Sequence, residues 1–139
     1  MTGRNILIVD DDSGLLISLK MVFTAKGYIV TVADDAVAAL AEIQRRIPDI
    51  FLSDLYMPGM NGIELLAIVA GQYPQIRTIA MCAIFPDNPF PEDVVAHAFY
   101  RKAESLDKLF SIVDSMRDSM ELRLEDSVSA SKKSSGNRT

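Results

Sequence analysis

The sequence predicts an α/β fold: a five-stranded parallel sheet, doubly wound, with helices on both faces. Two observations carry this. Short aliphatic runs alternate with stretches of helical apolar periodicity, and strands alternating with helices imply parallel pairing covered on both sides. Aspartates also stand directly after two of the aliphatic runs. Sites in open parallel sheets form outside the carboxyl ends of the strands.

Asn5 to Val9 reads as a buried first strand, ending in Asp10-Asp11-Asp12. Ser13 is placed to cap a helix whose stripe is Leu15, Leu16, Leu19, Val22 and Phe23, and Gly27 closes it. Tyr28 to Ala33, rich in β-branched residues, is the second strand. Asp35 caps a second helix over Ala36 to Arg46, with Val37, Leu40 and Ile43 on one face and Pro48 as its stop. Ile50 to Ser53 is the third strand, with Asp54 at its carboxyl end. After the turn Met57-Pro58-Gly59-Met60-Asn61-Gly62, Asn61 begins a third helix through Ile63, Leu66 and Val69, failing near Tyr73-Pro74. Thr78 to Ala83 is the fourth strand and Phe99 to Lys102 the fifth. Leu106, Leu109, Phe110, Val113, Met116 and Met120 form the last helical stripe.

Composition narrows the function. The 139 residues fit one domain, and 49% hydrophobic with 24% charged residues is ordinary for a globular chain. A net charge of −5 argues against binding a phosphate backbone. The single Cys82 excludes an internal disulfide and a cysteine-based zinc site. The single His97 has no nucleophile elbow to serve, and is expected as a partly exposed helix residue. No signal-peptide pattern opens the chain, and no apolar run nears the roughly 20 residues of a membrane span. The expected location is cytoplasmic. From about Asp126 the chain turns to Ser, Lys, Gly and Asn, so residues 125–139 are expected to be a disordered tail or a truncated linker behind a domain over residues 4–124.

In the common flavodoxin-like order 2-1-3-4-5, strands one and three are neighbours. Asp10, Asp11 and Asp12 should then meet Asp54. Clustered carboxylates repel one another unless a cation neutralises them, and hard oxygen ligands suit Mg²⁺. The plainer alternative is that these aspartates only cap helices and form turns.

The run Ile6-Leu7-Ile8-Val9-Asp10-Asp11-Asp12, with Asp49-Ile50-Phe51-Leu52-Ser53-Asp54-Leu55-Tyr56-Met57-Pro58-Gly59-Met60-Asn61-Gly62 and the later Lys102, resembles the receiver domains of response regulators. By position, the resemblance implies that Asp10 and Asp11 hold Mg²⁺ and that Asp54 is both metal ligand and phosphoryl acceptor. The carbonyl of Tyr56 would complete the coordination, and Lys102 would pair with the phosphoryl oxygens. It implies phosphotransfer from a histidine kinase or histidine phosphotransfer protein and an unidentified downstream protein partner. The long helix from Ser105 permits a homodimer without requiring one. It implies no enzymatic activity beyond self-phosphorylation and slow dephosphorylation.

The sequence departs from the family at several points. Cys82 stands where a Ser or Thr hydroxyl is usual, and a thiol is a weaker donor. Ala103 replaces the proline after the lysine, so a trans bond is expected there. Pro86, Pro89 and Pro91 crowd the fourth-helix region, leaving at most Glu92 to Ala98 helical, short or irregular. Phe99 matches a switching aromatic without its hydroxyl. Bulky Tyr56 and Ile84 match positions that control access of water to the phosphoryl group. These departures leave open a pseudo-receiver that binds protein without phosphorylation. Asp10-x-Asp12 after a strand also resembles the first motif of haloacid dehalogenase-type phosphatases, which would make the chain an enzyme but leaves the turn from Asp54 to Gly62 unexplained.

Overall fold

The computed structural model describes residues 4–83 and 90–136, with side chains to residue 122. In chain order the elements are β1 (Asn5–Val9), α1 (Ser13–Ala25), β2 (Ile29–Ala33), α2 (Ala36–Arg45), β3 (Ile50–Asp54), α3 (Gly62–Gln72), β4 (Arg77–Cys82), β5 (Ala98–Arg101) and α4 (Leu106–Gly136). All strand pairs are parallel, in the order β2-β1-β3-β4-β5. The predicted doubly wound sheet is the fold observed.

Successive strand residues face opposite sides, and this splits the core in two. Leu7, Val9, Phe51 and Ala80 face α2 and α3, meeting Ala39, Ile43, Leu65, Leu66 and Val69. Ile6, Ile8, Leu52, Ile79 and Met81 face α1 and α4, meeting Leu16, Leu19, Phe23, Leu109 and Val113. Tyr28 fastens α4 to this second face. Its hydroxyl donates to Asp114 at 2.7 Å, and Lys26 approaches the same carboxylate at 3.4 Å. Burial and that carboxylate push the Tyr28 hydroxyl well above the ordinary tyrosine range.

Four local expectations need correction. The cap of α1 is Asp12, whose carboxylate accepts from the Leu15 amide at 3.1 Å, and not Ser13. Both residue types cap well, and Asp12 alone sits outside the helical backbone. The inward face of α2 is Ala36, Ala39 and Ile43, while Val37 is 74% exposed. The sheet lies close enough for small residues to pack against it. Between β4 and β5, residues 83 and 90–97 contain no helix. The Val94 amide closes a turn onto the Pro91 carbonyl at 3.2 Å, and His97 leads into β5 instead of lying in a helix. Pro86, Pro89 and Ile84 lie outside the described residues. Finally, α4 runs on to Gly136, so the backbone is helical over 125–136, where the sequence predicts an unordered tail. Helix elongation from packed turns is far easier than nucleation, and Glu125, Ala130, Lys132 and Lys133 are good helix formers.

Candidate functional site

Asp10 follows β1 directly. Its amide donates to the Ala33 carbonyl at 3.2 Å, which ties it to the end of β2. Its carboxylate is fully buried, and Oδ1 accepts from the Asp12 amide at 2.9 Å. Asp54, 5% exposed, ends the neighbouring β3. Asp11 is exposed between Asp10 and the α1 cap. One carboxylate oxygen from each of Asp10, Asp11 and Asp54 lies within 4.8 Å of the others. The strand order brings together the three acids that the sequence marks, and turns Asp12 to capping.

Lys102 reaches the cluster from beyond β5. Its amide donates to the Cys82 carbonyl at 2.9 Å, which fixes the lysine to the end of β4. Its ammonium lies 2.6 Å from Asp10 Oδ2 and 3.5 Å from Asp54 Oδ2. The Lys102–Ala103 bond is trans, as expected, since no peptide bond among the described residues is cis. The closer partner is Asp10, a pairing that the sequence pattern does not reveal.

Three carboxylates share one ammonium, so the cluster carries excess negative charge. Burial pushes the Asp54 carboxyl up to about 6. The charges of Asp10 and Asp11 add to the rise, and the Lys102 ammonium opposes it. Burial works to lower the Lys102 ammonium, but Asp10 and Asp54 outweigh it and hold the group above the ordinary lysine range. Asp10 Oδ2 is buried, and its partner is the Lys102 ammonium at 2.6 Å. Hard oxygens gathered within 4.8 Å and an excess of negative charge fit a small divalent cation.

The turn after Asp54 shows why its glycines are there. Gly62 opens α3 against the end of β3, and its amide donates to the Leu55 carbonyl at 2.8 Å. A Cβ at Gly62 would lie 1.9 Å from the Asp54 carbonyl oxygen. Gly59 holds φ +81°, a region open to glycine. Asn61 caps α3 by accepting from the Glu64 amide at 2.9 Å, as its sequence position predicts. The glycine directly after the cap was the available signal for this close approach.

The remaining candidates lie around this centre. Cys82 ends β4, 4% exposed, and packs with the α2–α3 core. It stands one residue past Met81, the register partner of Asp54. Tyr56 lies 46% exposed on the loop beyond Asp54. Phe99 is exposed on β5, with its ring 4.9 Å from that of Phe90. His97 serves the sheet: its Nδ1 accepts from the Thr78 amide at 3.0 Å, and its own amide donates to the Thr78 carbonyl.

Residues 6–114 match the family model described as the response regulator receiver domain. The chain is 33% identical over 120 residues to sporulation initiation phosphotransferase F of Bacillus subtilis, covering 86% of this chain and 93% of that protein. It is 37% identical over 83 residues to the DNA-binding transcriptional regulator NtrC of Proteus hauseri, but spans only 18% of that protein's length. Among solved structures, a CheY-like response regulator receiver domain protein from Methanospirillum hungatei superposes with a TM-score of 0.75. It is 28% identical, and the match covers 86% of this chain and 98% of that one.

Proposed function

The chain belongs to the response regulator receiver domain family, and from that premise we propose that Asp54 accepts a phosphoryl group from a phosphohistidine. The donor would be a histidine kinase or a histidine phosphotransfer protein. The observation that carries the reading is the convergence of Asp10, Asp11 and Asp54 within 4.8 Å, with the Lys102 ammonium beside them.

A carboxylate oxygen of Asp54 would give its electron pair to phosphorus while the P–N bond breaks toward the donor imidazole. The product is an acyl phosphate and a dephosphorylated histidine. Mg²⁺, held by Asp10, Asp11, Asp54 and the Tyr56 carbonyl, would neutralise charge on the transferring oxygens. Lys102 supplies a fixed positive charge on the other side. The nucleophile is already a carboxylate near neutral pH, so no general base is required. Cys82 would offer the phosphoryl group only a weak thiol donor, which favours a shorter-lived phosphorylated state. Tyr56 would oppose this by shielding the acyl phosphate from water, with Ile84 as its expected partner.

The output would be altered binding of a downstream protein in the cytoplasm, by a signalling module whose own chemistry ends with its phosphorylation and slow dephosphorylation. A homodimer is compatible with the long α4. The second reading, a pseudo-receiver binding protein without phosphorylation, draws on Cys82, Ala103 and the absence of a helix among the described residues between β4 and β5.

Incubation with acetyl phosphate, with and without Mg²⁺, tests both readings by intact mass. The expected result is a Mg²⁺-dependent gain of one phosphoryl group that is absent in Asp54→Ala. No gain from acetyl phosphate or from a phosphohistidine donor would favour the pseudo-receiver. A gain persisting in Asp54→Ala would reassign the nucleophile.

A further inference from the structure

We propose that the amino end of the sheet carries a second binding site, for a small organic anion, held between the guanidinium groups of Arg4 and Arg77. Arg4 precedes β1 and Arg77 opens β4. The two flank Asp49, which precedes the intervening β3. All three line one cleft of about 380 Å³, a size suited to small ligands.

The charges in this cleft do not cancel. The Asp49 carboxylate is partly committed to the backbone, since its Oδ2 accepts from the Asn5 amide at 2.9 Å. Its Oδ1 lies 3.9 Å from Arg4, beyond hydrogen-bond distance. The Arg77 guanidinium has no ion pair or hydrogen bond among the described residues, although Arg77 is half-buried. Two arginines and one carboxylate therefore line the cleft, with guanidinium donors to spare. Guanidinium forks match planar carboxylate and phosphate oxygens. Pro48, Pro74 and Met120 supply apolar walls, which favours an anion with an apolar body over an inorganic one. The site is remote from Asp54, at the opposite end of the strands, and does not rest on the phosphorylation reading. An occupant would touch Met120 and so bear on α4.

The test is a titration of the ¹⁵N-labelled chain with benzoate and, separately, with phenyl phosphate, followed by NMR. Sodium chloride at matched ionic strength is the control. The expected result is saturable movement of the Arg4 and Arg77 Nε–Hε signals and of the Asn5 and Arg77 amides, with Asp10 and Asp54 unmoved. Affinity should fall at least tenfold in Arg77→Gln, with the rest of the spectrum preserved, and likewise in Arg4→Gln should the first variant unfold. Whichever probe binds more tightly identifies the head group. Shifts that never saturate, that chloride reproduces, or that survive both substitutions overturn the proposal.

Discussion

Burial beside Asp10 and Asp11 keeps a proton on Asp54 to a higher pH than in an unfolded chain. The unfolded carboxyl releases its proton near 3.8 and the folded one near 6. Between these values the native state binds more protons, so stability falls as pH rises through the window, and the full penalty is present above it. The gap corresponds to about 3 kcal/mol. Asp54→Asn should therefore stabilise the cation-free protein by about 1–3 kcal/mol at pH 7.5 and hardly at all near pH 3.5. Urea unfolding at both pH values measures this, and a pH-independent difference would contradict it. Lys102 occupies part of the same electrostatic demand at Asp10. Lys102→Met should cost about 2 kcal/mol without divalent cations, because Asp10 is left buried and uncompensated. It should also raise Mg²⁺ affinity several-fold, since the ammonium no longer competes for Asp10. Calorimetric titration with Mg²⁺ reads the second effect, and weaker binding would show that Lys102 assists the cation. The identities of Asp10, Asp11, Asp54 and Lys102 were legible from strand ends and motif. The preference of Lys102 for Asp10 was not, because it depends on the Lys102 amide being tied to the Cys82 carbonyl across the sheet.

At the scale of elements, Asp35 and Asn61 both cap where the sequence places them, because a capping residue and the apolar periodicity behind it are local signals. The α1 start slipped by one residue because Asp12 and Ser13 are chemically equivalent candidates. On α2 the periodicity places Leu40 and Ile43 correctly against the core but also favours the large Val37, whereas packing close to the sheet selects Ala36 and Ala39. The segment between β4 and β5 was legible in part: its prolines argue against a helix, but the turn at Val94 depends on tertiary contact. Two glycines of α3 give a paired test. Gly62→Ala should destabilise by more than about 2 kcal/mol despite better helix propensity, since its Cβ would overlap the Asp54 carbonyl. Gly71→Ala meets nothing within 4 Å and should stabilise by about 0.5–1 kcal/mol. Thermal unfolding of the two variants should move in opposite directions; equal shifts would mean that α3 does not lie so close to β3.

For the whole molecule, the sheet acts as a partition between two cores that share strands but few side-chain contacts. Ile43→Val on one face should cost about 0.5–1.5 kcal/mol and Val113→Ala on the other about 1–3 kcal/mol. The double variant should equal their sum within about 0.5 kcal/mol, because neither cavity borders the other. A coupling well above that, from denaturant unfolding of the three variants, would show that strain crosses the sheet. The doubly wound order was readable from the alternation of elements, whereas the division of labour between faces required the register. The hydrogen bond from Tyr28 to Asp114 has a further consequence, and it is optical. The chain has no tryptophan and four tyrosines. Tyr28 is bonded to a carboxylate and Tyr100 to the Glu104 carbonyl, contacts that dim phenol emission. Tyr56 is exposed two residues beyond Asp54, so its emission is the label-free signal to follow in a Mg²⁺ titration.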